Sequence, residues 1–272
     1  PESDDDNGST TDGSSDGQDG IGASSEPDRG VVRAPVAGTV VGLEIATIGG
    51  VIAPGEPLMT IVPDRPVLIA AAAGGAALCY GAICLRLYRR QRAILYRPDP
   101  APAGPRPLDG ALPELPEATA ADGGVCRHWY WPAPEGAEPG LPLVLAFHGN
   151  AGHLGDRVEK LAPLRARGFP LLLAGYRGYG GNPGEPSEAG LIADARAACD
   201  LAERLAAGRS VAFYGESLGA AVAVALAAGG RGTRLVLDAP FDSVRALAKL
   251  RYPWLPIGTL LKDPWHSLAR IA

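Results

Sequence analysis

A serine in a sharp-turn motif is the first group in this chain that could do chemistry. Residues 215–219 read GESLG and match the pattern G-x-S-x-G; the members are Gly215, Glu216, Ser217, Leu218 and Gly219. An apolar run precedes the motif and AAVAVALAA follows it, which is typical of a strand, a strained turn and a helix. The hydroxyl of Ser217 would stand at a helix N-terminus, where an oxyanion is stabilised, so the pattern predicts a nucleophile. The alternative is an ordinary helix N-cap.

A second motif, FHGNAG at residues 147–152, directly follows another apolar run. When a serine in such a turn is the nucleophile, two backbone N–H groups stabilise the oxyanion. One belongs to the residue after the serine and the other to a loop that follows a neighbouring strand. The sequence therefore predicts an oxyanion hole formed by Leu218 and Asn150. We expect a structural role for His148, because it lies at the end of the strand and ahead of the glycine.

The elements that must position these residues alternate regularly along the second half of the chain. Short apolar runs bounded by Gly or Pro occur at residues 142–147, 170–174, 210–214 and 234–237. Helical patterns lie between and after them, near residues 155–167, 187–207, 217–229 and 242–250. This spacing predicts βαβ units and a doubly wound α/β domain with a mostly parallel sheet over residues 125–272.

The N-terminal tail differs in net charge from the rest of the 272-residue chain. Residues 1–29 hold nine acidic side chains and one arginine, a net charge of −8, so the remainder carries +3 of the total of −5. Because the tail has one large apolar residue, we expect it to be disordered. The remainder has no basic stripe with interleaved aromatic residues, which argues against nucleic-acid binding. Four scattered cysteines with no C-x-x-C pair give neither a disulfide framework nor a zinc site.

Residues 30–64 predict a small β segment, because β-branched runs alternate with Ala-Gly, Gly-Gly and Pro-Gly turns. The string APVAGTVVGLEIATIGGVIAPGEPLMTIVP resembles the lipoyl-like part of haemolysin-D-type membrane-fusion proteins, the periplasmic adaptors of type I secretion. The first lysine of the chain is Lys160, so this segment cannot carry lipoate or biotin. The resemblance leaves a secretion adaptor as one alternative function, and a β-hairpin from a larger domain as the simpler interpretation.

Residues 67–85 are nineteen consecutive uncharged residues, long enough to cross a hydrocarbon core as a helix. Arg86, Arg89, Arg90 and Arg92 follow. The pattern predicts a single transmembrane helix over residues 66–88 and a membrane-proximal linker over 89–124. Since arginines resist translocation, the C-terminal part is predicted to be cytoplasmic. A buried helix of a soluble protein is the alternative.

Three longer segments resemble a known family: HGNAGHLGDRVEKLAPLRARGFPLLLAGYRGYGGNPGEPSEAGLIADARAA, YGESLGAAVAVALAA and LVLDAPFDS. Over residues 67–272 they are similar to the membrane-anchored serine-hydrolase branch of the α/β-hydrolase superfamily. The resemblance implies a serine esterase or thioesterase that acts on small acyl esters or thioesters at a lipid membrane, with no metal and no organic cofactor. It also implies that the turn at residues 176–181 shapes a loop.

The catalytic acid and histidine of that family follow the serine, on loops after later strands. We expect the last strands of the fold, with both residues, to be absent from this chain. His266 is the one histidine after Ser217, and with Asp238 or Asp242 it would make only a displaced triad. Asp263 is predicted to cap a helix. We interpret the chain as an incomplete membrane-anchored serine hydrolase; a hydrolase-like protein without catalysis is a further alternative.

Overall fold

The computed structural model describes residues 37–43, 59–63 and 66–272. The predicted acidic tail lies outside these residues, as does most of the predicted β segment. The strands are β1 (Gly38–Leu43), β2 (Met59–Pro63), β3 (Arg97–Pro98), β4 (Glu117–Thr119), β5 (Val125–Arg127), β6 (Trp129–Trp131), β7 (Leu143–Phe147), β8 (Ala151–Gly152), β9 (Leu171–Ala174), β10 (Val211–Glu216) and β11 (Arg234–Asp238). The helices are α1 (Pro66–Leu95), α2 (Val158–Arg165), α3 (Glu188–Ala206), α4 (Leu218–Ala227), α5 (Val244–Arg251), α6 (Ile257–Leu260) and α7 (Ser267–Ile271).

The chain divides into two compact units, Pro1–Gly74 and Gly75–Ala272. In the first unit β1 and β2 pair antiparallel, with Gly38 opposite Pro63 and Leu43 opposite Met59. This pairing agrees with the predicted β segment. The likeness of that segment to a lipoyl domain stays a prediction.

The second unit is built on a five-stranded sheet in the order β11-β10-β7-β9-β6. Neighbouring strands from β11 to β9 run parallel, and β6 runs antiparallel to β9 at the edge. The mostly parallel α/β sheet predicted from the alternating runs is therefore confirmed. Because Phe147 is opposite Gly215 and Glu216 is opposite Asp238, the carboxyl ends of β7, β10 and β11 lie together at one end of the sheet.

Helices cover both faces of this sheet, as the doubly wound prediction requires. Leu143, Leu145 and Phe147 of β7 share one buried cluster with residues of α3 and α4. The intervening Val144 and Ala146 share a second cluster with residues of α2. Alternate side chains of a strand point to opposite faces, so β7 lies between two helical layers. Its unbroken apolar sequence follows from burial on both sides.

The segment predicted as a linker packs with the domain. Helix α1 continues past the arginines to Leu95, and the next residue, Tyr96, is buried. Leu108 joins the cluster on the α2 face, and Ala118 and Ala120 join the cluster on the other face. The pattern of residues 96–124 concealed this because Pro and Gly separate the few apolar side chains. The segment is held against the domain by burial of those few side chains, and it contains no long run with the periodicity of a helix or strand.

Helix α4 begins unusually close to the end of β7, and Gly219 makes this possible. A methyl group on Gly219 would lie 2.1 Å from the carbonyl oxygen of Phe147 and 2.7 Å from that of His148. Both distances are far inside van der Waals contact, and both atoms belong to the backbone. Only glycine therefore lets the first turn of α4 pack against this strand.

We predict that Gly219→Ala lowers the free energy of unfolding by about 2 kcal/mol or more, because the methyl group must displace buried backbone. Helix propensity alone would change the stability in the opposite direction, by up to about 1 kcal/mol. Urea unfolding followed by circular dichroism measures the difference. Gly104→Ala is the control, since a methyl group there meets nothing within 4 Å. Unchanged or increased stability of Gly219→Ala would contradict the close packing.

Candidate active site

Ser217 is the residue that joins β10 to α4, and its backbone is strained. Its φ is 52° and its ψ is −110°, outside the helical and extended regions. A non-glycine residue in such a conformation costs on the order of 1–3 kcal/mol. The backbone N–H of Ser217 donates to the carbonyl oxygen of Asp238 at 2.9 Å. The side chain forms no N-cap hydrogen bond, so the alternative of an ordinary N-cap is not what the geometry shows.

Gly215 makes the sharp turn sterically possible. A methyl group on this residue would lie 2.5 Å from the carbonyl oxygen of Gly219 and 2.6 Å from the Cα of Ala220. The strand and the helix therefore meet at a distance that no larger residue tolerates at position 215. We call residues 215–219 the elbow.

The loop after β7 lies against the elbow. A methyl group on Gly149 would be 3.3 Å from Oε1 and 3.6 Å from the carbonyl oxygen of Glu216. The next residue, Asn150, is held from three directions. Its side-chain amide donates to the carbonyl oxygen of Leu95 at 2.8 Å, and its own carbonyl oxygen accepts from Arg97 N at 2.8 Å and Tyr179 Oη at 3.0 Å.

Two backbone N–H groups remain available where the FHGNAG loop meets the elbow. Among the residues that the structure describes, none accepts a hydrogen bond from the backbone N–H of Asn150. Leu218 is the first residue of α4, and the first N–H groups of a helix have no partner within it. The structure thus brings the elbow and the FHGNAG loop to one place, with N–H groups that an anion could use.

The turn at residues 176–181 supports this loop from the next strand. Tyr179 supplies the hydroxyl that holds Asn150. Arg177 fixes the turn itself by pairing with the buried Asp194 at 2.6 Å and with Asp122 at 2.7 Å. The hydrogen bonds from Arg177 lower the pKa of Asp122 to about 2. These contacts hold the turn against the FHGNAG loop, and its role in shaping that loop stays a prediction.

An ion-pair cluster beside the elbow was not foreseen from the sequence. Glu216 accepts from Arg157 and Lys160, each at 3.1 Å. Lys160 also contacts Asp238 at 2.6 Å, and the hydroxyl of Tyr214 donates to Asp238 at 2.9 Å. The hydrogen bond from Lys160, followed by that from Tyr214, lowers the pKa of Asp238. No spacing signals this cluster, because α2 meets the sheet only in the folded chain.

Two of the four histidines are buried in the domain. His148 directs Nδ1 to the carbonyl oxygen of Gly149 at 2.8 Å and packs on Tyr176, with 4.4 Å between ring centroids. His128 accepts from the backbone N–H of Gly175 at 3.1 Å. Burial lowers the pKa of each histidine to about 4. Both are therefore neutral at pH 7, and the contacts of both rings are those of structural residues.

The other two histidines lie at helix starts. His153 is beside Asp156, with 3.7 Å between Nδ1 and Oδ2. His266 precedes α7, where the carbonyl oxygen of Asp242 accepts from the N–H groups of Ser267 and Leu268. Over residues 37–43, 59–63 and 66–272, no histidine forms a hydrogen bond with the Ser217 hydroxyl. In the same ranges, no group of three or more His, Cys, Asp or Glu side chains could hold a metal ion.

Asp263 caps a helix, but not the one that follows it. It is 3% exposed and accepts from the backbone N–H of Glu188, the first residue of α3, at 2.9 Å. Arg92 of α1 pairs with the same carboxylate at 2.7 Å. Glu188 in turn accepts from the N–H of Trp265 at 2.8 Å. The sequence suggested a local cap, whereas the charge of Arg92 and the N-terminus of α3 hold this carboxylate.

An apolar cavity of about 310 Å³ lies over the carboxyl edge of the sheet. Asn150, from the loop after β7, contributes to its lining. Residues between Val244 and Asp263, which follow β11, form a second part, and residues of α1 from Cys84 to Leu95 form a third. Strands β7 and β11 flank β10 in the sheet. The cavity is therefore bounded by the segments that follow the two neighbours of β10.

Comparison with known proteins finds relatives among hydrolases. The lysophosphatidylserine lipase ABHD12 of Danio rerio is 34% identical over 127 residues, which cover 42% of this chain and 33% of the lipase. The crystal structure of an α/β hydrolase from Vibrio vulnificus superposes with a TM-score of 0.45 at 21% identity, and covers 58% of this chain and 57% of that one.

A bacterial relative and a family profile also match this chain. Protein Rv2307c of Mycobacterium tuberculosis is 41% identical over 205 residues, covering 72% of this chain and 70% of the relative. The family profile described as serine aminopeptidase, S33, matches residues 141–263. On this profile, this relative and the α/β sheet, the chain belongs to the α/β-hydrolase superfamily.

Proposed function

We propose that this chain is a membrane-anchored serine hydrolase that cleaves acyl esters or thioesters with Ser217 as the nucleophile. The observation that carries the proposal is the strained backbone of Ser217 at the junction of β10 and α4. The surrounding structure holds that conformation, with glycine at positions 215 and 219 where a methyl group would clash. Strain of this kind is concentrated at active sites, where it positions a reacting group.

The proposed reaction is acyl transfer in two steps. The Ser217 oxygen bonds to the acyl carbon while a base takes the hydroxyl proton, and the N–H groups of Leu218 and Asn150 stabilise the oxyanion. The bond to the leaving group then breaks, and the alcohol or thiol departs with that proton. Water repeats the attack on the acyl-serine, which releases a carboxylic acid and restores the hydroxyl.

The proposal assigns no residue as the general base that accepts the Ser217 proton. A serine hydroxyl is a weak nucleophile until a base accepts its proton. None of the four histidines in residues 1–272 pairs with Ser217, and Asp238 is engaged by Lys160 and Tyr214. We therefore expect residues 1–272 to turn over slowly. The same observation favours the second candidate, a hydrolase-like protein without catalysis. The only support for the alternative function, a secretion adaptor, is the resemblance of residues 30–64 to membrane-fusion proteins.

The proposed substrate is a small ester or thioester with an apolar acyl group. The cavity adjoins Asn150 and is lined mainly by Leu, Ile, Val and Tyr side chains, which would accept an acyl chain. ABHD12, the fish relative, is named as a lipase of lysophosphatidylserine, which supports an acyl ester of a lipid. We propose no metal and no organic cofactor, since the reaction needs neither.

The proposed location is a single-pass membrane protein with the hydrolase domain in the cytoplasm. Residues Ala71–Leu95 of α1 are long and apolar enough to cross a membrane, and none of that apolar stretch is buried. This exposure favours a membrane span over the core helix of a soluble protein. Arg86, Arg89 and Arg90 at its end support the cytoplasmic orientation.

Ser217→Ala is predicted to abolish labelling by a fluorophosphonate probe and any turnover of short acyl esters. In the unchanged chain both signals should be weak. Without a paired base, only the oxyanion donors and substrate binding accelerate the reaction, by about 10³–10⁴-fold over water in a well-studied protease. In-gel fluorescence and an ester assay measure the two signals. Ser210→Ala is the matched control, because Ser210 is exposed and precedes the same strand.

Two outcomes would contradict the proposal. Labelling that survives in Ser217→Ala places the nucleophile elsewhere. Fast turnover that depends on Ser217 would instead mean that one of the four histidines reaches the serine, against the geometry described above.

Reporter fusions after residue 100 are predicted to fluoresce with GFP and to lack alkaline phosphatase activity. The arginines that follow the apolar stretch should keep this side in the cytoplasm. Active alkaline phosphatase with dark GFP would reverse the orientation. Extraction of the chain from membranes by carbonate would exclude the anchor.

A further inference from the structure

Helix α5 and the turn after it expose large apolar side chains. Leu250 is 81% exposed, Trp254 is 51% exposed and Leu247 is 49% exposed. We call these three residues the α5 surface. Isolated apolar residues are common on protein surfaces, but a cluster rimmed by polar groups marks a contact with another phase or molecule. Within the described residues, no side chain covers Leu250.

Helix α5 carries basic residues beside the α5 surface and contains no acidic residue. Helix α5 reads VRALAKLR, and Arg245, Lys249 and Arg251 are all exposed. None of the three forms an ion pair with any residue that the structure describes. A short helix with two exposed Leu side chains, three exposed cations and a nearby Trp has the composition of a segment that lies in a membrane interface. Anionic headgroups would complement the cations.

The α5 surface is also joined to α1. Tyr80 donates its hydroxyl hydrogen to the carbonyl oxygen of Trp254 at 2.9 Å, and the two rings pack edge to face with 6.3 Å between centroids. Tyr80 lies five residues before Leu85, or about 7 Å along the helix axis. It is therefore near the end of the uncharged stretch, at the depth where Tyr and Trp side chains concentrate in membrane proteins.

From these observations we infer that the α5 surface docks into the anionic membrane interface beside α1. Leu250 and Trp254 insert at the boundary of headgroups and acyl chains, while Arg245, Lys249 and Arg251 contact lipid phosphates. The occupant is the bilayer itself, because the surface is continuous with a helix that has the length of a membrane span. This inference depends on the proposed anchor and is independent of the hydrolase chemistry.

Tryptophan quenching tests the docking in the full chain, reconstituted in vesicles of phosphatidylcholine and phosphatidylglycerol. Trp254 is the one exposed tryptophan of the four; Trp129, Trp131 and Trp265 are buried. Phosphatidylcholine that carries a doxyl group near the top of the acyl chain should quench Trp254 selectively. Trp254→Phe should lose most of this quenching. Equal quenching of the two proteins would overturn the inference.

Charge and apolar variants separate the two parts of the surface. Leu250→Glu should reduce the quenching strongly, because it places a charge where an apolar side chain inserts. Lys249→Glu should reduce it in anionic vesicles and have little effect in pure phosphatidylcholine. Val236→Glu is the matched control, since Val236 is 55% exposed on β11 and lies outside the α5 surface. Equal loss in Val236→Glu would mean that the charge acts non-specifically, and would contradict the inference.

Carbonate extraction distinguishes failure of the docking from failure of the anchor. If the chain resists carbonate extraction and Trp254 is not quenched, the anchor is present and the inferred docking of the α5 surface is wrong. A blue-shifted Trp254 emission without lipid quenching would indicate a protein partner on the surface, which also overturns the inference. A chain that carbonate extracts has no anchor, and the inference fails with it.

Discussion

The contact between the first turn of α4 and the end of β7 is the constraint on which the rest of the site depends. Gly219 lets the helix approach two backbone carbonyl oxygens. A single residue, Ser217, joins the end of β10 to the start of α4, and its backbone adopts a positive φ of 52° at this junction. The oxyanion donors follow from the same constraint, since it brings the helix N-terminus and the FHGNAG loop together.

The second organising feature is the junction around Asp263. One buried carboxylate accepts from Arg92 and from the first residue of α3, and Gln91 exchanges hydrogen bonds with Leu260 and Lys262 nearby. The C-terminal half of α1 is therefore part of the hydrolase domain. It also forms a wall of the apolar cavity, so the helix proposed as the anchor contributes to the proposed acyl site.

The sequence predicts the centre of the fold well and its periphery poorly. Strands β7, β9, β10 and β11 were expected within one or two residues, because strands buried on both faces are continuous apolar runs with glycine or proline at their ends. Residues 215–219 were expected at a strand–helix junction, because an apolar run precedes the motif and AAVAVALAA follows it. Tertiary features were missed: β6 is only three residues long, and the pairing of Lys160 with Asp238 depends on where α2 lies.

Asp263 illustrates why local patterns fail at long range, since its partners are 171 and 75 residues away. This has a consequence for attempts to make a soluble form by deleting the apolar helix. A chain that starts after Leu95 lacks Arg92 and leaves the buried carboxylate of Asp263 with a single backbone partner, the N–H of Glu188. The same deletion takes away the Leu95 carbonyl that holds the Asn150 side chain. The shortened protein would lose stability and, at the same time, the rigidity of the loop beside Ser217.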